Sequence, residues 1–150
     1  MERILVSSCL LGAPVRYDGR AKTSGSAILA RWRREGRVLS FCPELAGGLA
    51  VPRPAAERRG LQVITIDGQD VTPAFRLGAS LALAAAQKEE IRFAVLKENS
   101  PSCGSNTIAD GTFTGTKIPD VGVTTELLRS HGIRVFNENQ LETVDAMLTE

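Results

Sequence analysis

The chain has 150 residues, with 18 Lys and Arg against 17 Asp and Glu, one His, three Cys and a net charge of +1. That length fits one domain with a real core, no segment is long or apolar enough to read as a membrane span, and the charge balance speaks against a dedicated polyanion-binding surface. The N-terminus shows no charged n-region, extended apolar stretch or small-residue cleavage site, so a cytoplasmic protein is expected. Its odd number of widely spaced cysteines is no disulfide framework, and a reducing compartment would keep the thiols available for metal, catalysis or packing.

Arg3 to Ser7 reads as the first strand. Ser24 to Glu35 reads as a helix with a serine-rich start and Gly36 as its stop, and its cluster Arg31, Arg33 and Arg34, with Arg37, reads as a solvated face. Val38 to Phe41 is the second strand. "VPRPAAERRG" reads as a turn-rich loop, extended at its prolines. Gln62 to Ile66 is a third apolar run, followed by an Asp67-Gly68 pair that suits a hairpin turn or a surface loop. Pro73 to Glu90 is alanine-rich and opens with proline in a first-turn position, a strong helix pattern.

Arg92 to Lys97 is the fourth strand, Val123 to Ser130 a helix with His131 at its C-terminal end, Arg134 to Phe136 a fifth strand and Leu141 to Leu148 a last helix. Strands apolar along their length and alternating with helices predict an α/β fold: one domain over residues 1–150, a mostly parallel, Rossmann-like sheet flanked by helices.

Each cysteine falls just past a predicted strand, in "RILVSSCLLG", "RVLSFCPELAGG" and "FAVLKENSPSCG". Ligands of open parallel sheets bind outside the carboxyl ends of the strands. If the first, second and fourth strands are neighbours, Cys9, Cys42 and Cys103 converge on that edge. Cysteines serving only as small hydrophobes belong inside apolar runs, whereas these sit in turns beside Gly12 and Pro14, Pro43 and Gly104. There is no C-x-x-C pair and His131 lies far from these loops, which disfavours zinc. The H-x-E with P-C-x-x-C pattern of zinc deaminases is absent.

Soft thiolates suit an iron–sulfur cluster, and three of them leave one iron of a cubane without a protein ligand, open as a Lewis acid toward sulfur. No G-x-G-x-x-G or P-loop indicates a nucleotide cofactor.

The blocks "SSCLLG", "RYDG", "CPELAGGLAVPRP", "LKENSPSCG", "DGTFTG", "GVTTELL" and "GIRVF" together resemble the DUF523 family, which includes thiouracil desulfidases, over essentially the whole chain. The resemblance implies a 4Fe-4S cluster held by Cys9, Cys42 and Cys103, with the fourth iron free to take the sulfur of a thiolated pyrimidine. The implied reaction is non-redox: 2-thiouracil and water give uracil and hydrogen sulfide. It further implies Glu44 and Ser100 as the catalytic polar pair and Asp18 as a site residue. The chain ends where some relatives continue into a second domain associated with thiolated RNA, which favours a free base or nucleotide as substrate.

On the residues alone, Glu44 is equally a loop carboxylate at a helix start, Ser100 a turn serine and Asp18 a turn former before Gly19. Lys97 either neutralises charge at the site or reaches to solvent. Two other classes stay open: a non-catalytic iron–sulfur sensing module, and a metal-free redox or transferase enzyme built on one thiolate of depressed pKa.

Overall fold

The computed structural model describes residues 1–12, 17–18 and 26–148. Its strands are β1 (Ile4–Ser7), β2 (Val38–Phe41), β3 (Ala56–Arg59), β4 (Gln62–Thr65), β5 (Phe93–Leu96), β6 (Thr107–Ala109), β7 (Lys117–Pro119) and β8 (Arg134–Asn137). The helices are α1 (Ala27–Arg34), α2 (Pro43–Ala46), α3 (Thr72–Lys88), α4 (Val123–Ser130) and α5 (Leu141–Met147), and a single 3-10 turn, Ser8–Leu11, follows β1. Among the described residues no helix is long and apolar enough to cross a membrane.

Four strands form one parallel sheet in the order β2-β1-β5-β8. Side chains of a strand alternate between faces, and here both faces are covered. Ile4, Val6, Phe93 and Val95 pack against Leu29 and Trp32 of α1 and Leu141 and Val144 of α5. Leu5, Ala94, Leu96 and Val135 pack against Ala82 and Ala86 of α3 and Leu128 of α4. Burial on two sides is why Ile4–Val6 and Phe93–Leu96 are apolar at every position rather than at every second one.

Two antiparallel hairpins stand apart from this sheet. Gln62–Thr65 does not join the parallel strands: it pairs with Ala56–Arg59 across a Gly60-Leu61 turn, so the end of "VPRPAAERRG" is a strand and not a loop. Asp67-Gly68 makes a tight turn, closed by the Gly68 amide donating to the Thr65 carbonyl at 2.9 Å, and returns the chain to a bridge between Ile64 and Asp70. β6 and β7 form the second hairpin around "DGTFTG". Glu57 ties the two together, accepting from the Gly111 and Phe113 amides at 2.9 and 3.0 Å, while Arg59 donates to the Gly111 carbonyl at 2.6 Å.

The arginine cluster is solvated at Arg33 and Arg34, as expected, but not at Arg37, and Arg31 is held in an ion pair. Arg37 is buried, donating to Glu35 at 2.6 Å and to the Glu2 carbonyl at 3.1 Å. Arg31 pairs with Asp145 of α5, which also accepts from the indole of the fully buried Trp32 at 3.0 Å. The Arg31 and Trp32 hydrogen bonds hold the Asp145 carboxyl below its ordinary value. Its contribution to stability is complete above the unfolded-state value of about 3.9 and is lost as pH falls through the lower folded value. Asp145→Ala leaves the buried indole N–H without its acceptor and is expected to cost about 1–2 kcal/mol near neutral pH, with a difference from wild type that shrinks as the pH is lowered past that window; urea titrations at several pH values measure both.

Candidate active site

A cavity of about 280 Å³ opens at the carboxyl ends of β1, β2 and β5. Cys9 enters it from the 3-10 turn after β1, Cys42 from the residue following β2, and Cys103 from the loop after β5. Cys9 and Cys103 are buried, Cys42 is half-buried, and none is in a disulfide. Glu44 and Ser100 line the same cavity, and Ala55, Ala56 and Glu57 of the first hairpin and Ala109 of the second close its far side.

Cys42 and Glu44 are placed by close backbone packing. Cys42 is the N-cap of α2, Pro43 occupies the first turn and Glu44 follows it. This single turn of helix lies directly on α3: a Cβ at Gly78 would stand 1.9 Å from the Pro43 carbonyl oxygen, and one at Gly47 2.0 Å from that of Ala74. A glycine in the middle of an alanine-rich helix costs about 1 kcal/mol of helix propensity, and the approach of α2 is its physical reason.

The Cys103 loop is held from several directions. The Ser100 hydroxyl oxygen accepts from the Ser102 and Cys103 amides, both at 3.1 Å. The first amides of α4 reach back to the loop, Val123 to the Pro101 carbonyl at 2.9 Å and Thr124 to that of Ser102 at 2.8 Å. Thr125 donates its hydroxyl to the Cys103 carbonyl at 2.8 Å, and the buried Ser102 hydroxyl pairs with that of Thr124. Gly122 has no room for a Cβ, which would meet the Cys103 amide nitrogen at 2.5 Å.

Glu44 pairs with Arg53 at 3.3 Å. Arg53 is itself anchored, its amide donating to the Tyr17 carbonyl at 2.7 Å and its guanidinium to that of Ala50 at 3.0 Å. Burial pushes the Glu44 carboxyl above its ordinary value, partly offset by the Arg53 charge and hydrogen bond. Burial likewise raises Cys42, helped by the Glu44 charge and opposed by the Leu45 amide and Arg53. Cys103 is pushed up to about 12, first by burial and then by the Glu44, Cys9 and Cys42 charges, against a hydrogen bond from Ser102.

A model of the 2-thiouracil desulfurase family matches residues 4–140. The chain belongs to this family. A Bacillus subtilis (strain 168) protein described only as uncharacterized protein YbbK is 41% identical over 151 residues, which span 94% of this chain and 99% of that protein. A solved structure of a [4Fe-4S]-dependent thiouracil desulfidase, TudS, of the DUF523 type, is 52% identical, covers 99% of this chain and 100% of its own, and has a TM-score of 0.95. The α/β architecture and the DUF523 resemblance read from the sequence both stand.

In this 2-thiouracil desulfurase family member the three cysteines, Glu44 and Ser100 share one cavity, whereas Asp18 is exposed beside it and the preceding Tyr17 is the residue that lines it. The segments flanking that pair, residues 13–16 and 19–25, lie outside the described residues, and with them Pro14 and Ser24 of the sequence reading. Lys97 is on the cavity wall, with its ammonium held by Glu138 at 3.1 Å and the Glu98 carbonyl at 2.7 Å. His131 caps the C-terminus of α4, as its position before Gly132 suggested. Arg53, Glu57 and Glu98 escaped the sequence reading. Of these, Arg53 had the best available signal, a cation fixed between two prolines in a block of the family pattern.

Among the described residues no three His, Cys, Asp or Glu side chains close up tightly enough for one shared metal ion. Three thiols around one cavity suit instead a multi-iron group in which each thiolate binds a different iron. The raised thiol values fit the same donor set, since adjacent thiolates in an apolar cavity need a cationic partner to ionise together.

Gly78→Ala is expected to lower stability by about 1–3 kcal/mol through overpacking against Pro43, although alanine is the better helix former. Ser80→Ala, at an exposed position of the same helix, is expected to be neutral or slightly stabilising, and denaturant titration of the pair separates packing from propensity.

Proposed function

We propose that this chain is an iron–sulfur-dependent desulfidase that converts 2-thiouracil and water into uracil and hydrogen sulfide, with no net redox change. The observation that carries the reading is the convergence of Cys9, Cys42 and Cys103, from three separate loops, on one cavity that also contains Glu44 and Ser100. The cysteines would hold a 4Fe-4S cluster with one iron lacking a protein ligand. When bound, that group supplies a thiophilic Lewis acid at which the substrate sulfur is received.

The chain's own residues account for the rest. Glu44 is the general base: it takes a proton from water as the water oxygen bonds to the thiocarbonyl carbon, and the C–S bond then breaks, leaving the carbonyl and a sulfide to be protonated. Burial, which raises its carboxyl, brings Glu44 nearer to the range in which a carboxylate both accepts and returns a proton. Arg53 fixes its orientation through the 3.3 Å pair.

Ser100 spends its oxygen accepting two backbone N–H groups, so what it has left to offer is its own proton. Those two donors also favour negative charge on its oxygen, which makes it a proton donor to the departing group or the ring. Phe41, Pro43 and Pro101 supply apolar wall that keeps bulk water from the reacting carbon.

The cavity, about 280 Å³, lies at the small end of the roughly 300–1,000 Å³ typical of ligand sites and is shared with the cluster. That favours a thiolated pyrimidine base or the base end of a nucleotide, with any ribose outside.

Anaerobic reconstitution with iron and sulfide is expected to give turnover of 2-thiouracil to equal amounts of uracil and sulfide. Single Cys→Ser changes at 9, 42 and 103 should each abolish it, and turnover by the iron-free protein would overturn the reading. Glu44→Gln should keep the cluster absorption yet lose about 10²–10⁴-fold in kcat, the usual worth of a general base; unchanged kcat in that variant removes Glu44 from the mechanism.

A further inference from the structure

Glu98, the second residue after β5, is a buried carboxylate, 8% exposed, that the proposed chemistry does not use. Hydrogen-bond donors surround both of its carboxylate oxygens. One oxygen accepts from the amides of Asn99 at 3.2 Å, Ser105 at 2.7 Å and Asn106 at 3.2 Å. The other accepts from the Asn137 side-chain amide at 2.9 Å and faces the Ser105 hydroxyl at 3.4 Å. Asn137, 3% exposed at the end of β8, also donates to that hydroxyl at 3.0 Å.

The Glu98 amide in turn donates to Glu138 at 2.8 Å. One side chain therefore gathers the beginning and the end of the loop that carries Ser100 and Cys103, and ties both to the neighbouring strand. Burial would raise the carboxyl, yet the Ser105, Asn106, Asn99 and Thr107 amides outweigh it and hold Glu98 below its ordinary value.

We infer that Glu98 is a positioning residue: its carboxylate, with Asn137, clamps the 98–105 loop so that Cys103 stands ready to hold the cluster before the cluster arrives. The inference rests on the reading of Cys103 as a cluster ligand. A loop leaving the end of a parallel strand has backbone donors with no ladder partner, and unpaired buried donors are costly. A single ionised acceptor satisfies three of them at once, and bonds to a charged group are the strong ones. A loop held this way does not search for its geometry when the ligand binds.

The contacts specify their own test. In Glu98→Gln one oxygen remains for the backbone amides, but the new side-chain amide faces the Asn137 amide, donor against donor. Asn137→Asp turns that partner into an acceptor while keeping the oxygen that accepts from the Asn139 amide, so the double variant exchanges the charge and restores the pairing.

In cluster-free protein, Glu98→Gln is expected to speed amide exchange at Ser105 and Asn106 by about tenfold or more, the cost of setting two buried amide donors against each other, with β1 and α3 amides unchanged. In reconstituted protein it should speed cluster release to a chelator by about as much, and Glu98→Gln/Asn137→Asp should return both rates to within about threefold of wild type. If Glu98→Gln fails to fold, Asn137→Ala, which removes one tie, should move both rates in the same direction by less.

An unchanged release rate, a double variant that does not recover, or a uniform loss of protection throughout the domain would overturn the positioning role. A wild-type chain that takes up no cluster would overturn the desulfidase reading instead, while the exchange rates still decide the clamp.

Discussion

The site depends on the parallel pairing of β1 between β2 and β5. Ser7 is in register with Phe41, and Val6 with Val95, so the three strands end level. Neighbouring strands lie about 4.8 Å apart, which starts three loops within roughly 10 Å of one another at the same edge. No contact between the cysteines is needed to bring them together. The register does it, and the register is fixed by apolar side chains buried on both faces of the sheet, because a one-residue slip would exchange the two faces of every strand.

Convergence creates an electrostatic problem. Three thiols and three carboxyls, those of Cys9, Cys42, Cys103, Glu44, Glu57 and Glu98, line one small cavity. Among the described residues, Arg53 is engaged with Glu44 and Lys97 with Glu138. Burial first, and the neighbouring charges after it, raise the Cys42 and Cys103 thiols above their ordinary value. A nucleophilic cysteine needs the opposite environment, one that depresses its pKa. The cavity is thus a poor place for a lone reactive thiolate and a suitable one for thiolates whose charge is absorbed by iron.

Legibility in the sequence followed the range of the interaction. β1 and β5 were visible to within a residue or two because two-sided burial writes an apolar run, β2 and β8 by their shorter apolar stretches, and the cysteines beyond β1, β2 and β5 were visible for the same reason. Of the hairpin strands only β4 was, as the run from Gln62. "AERR" makes a strand through pairing with Gln62–Thr65 and buries Arg58 by giving it the Gly60 and Val121 carbonyls and the Glu126 carboxylate, and no local pattern signals such partners. Arg37 reads as solvated for the same reason. Glu98 was hidden because the residues that give it meaning include Asn137, 39 positions away. Gly78 could have been noticed, since a glycine inside "LGASLALAAA" goes against the propensity of its own helix.

The order in which fold and site are established also separates this chain from small metal-dependent domains. A zinc finger lacks a sufficient core and folds on its metal. Here α1 and α5 cover one face of the sheet and α3 and α4 the other, using Trp32, Leu29, Ala82 and Leu128, none of which lines the cavity. The cysteine loops are then secured by polar contacts of their own: the Cys103 loop by the first turn of α4, the Ser100 hydroxyl and the Glu98 carboxylate, and the Cys42 turn by its seat on Gly78. Binding energy from an incoming cluster is not needed to create the fold and can go into holding the cluster itself.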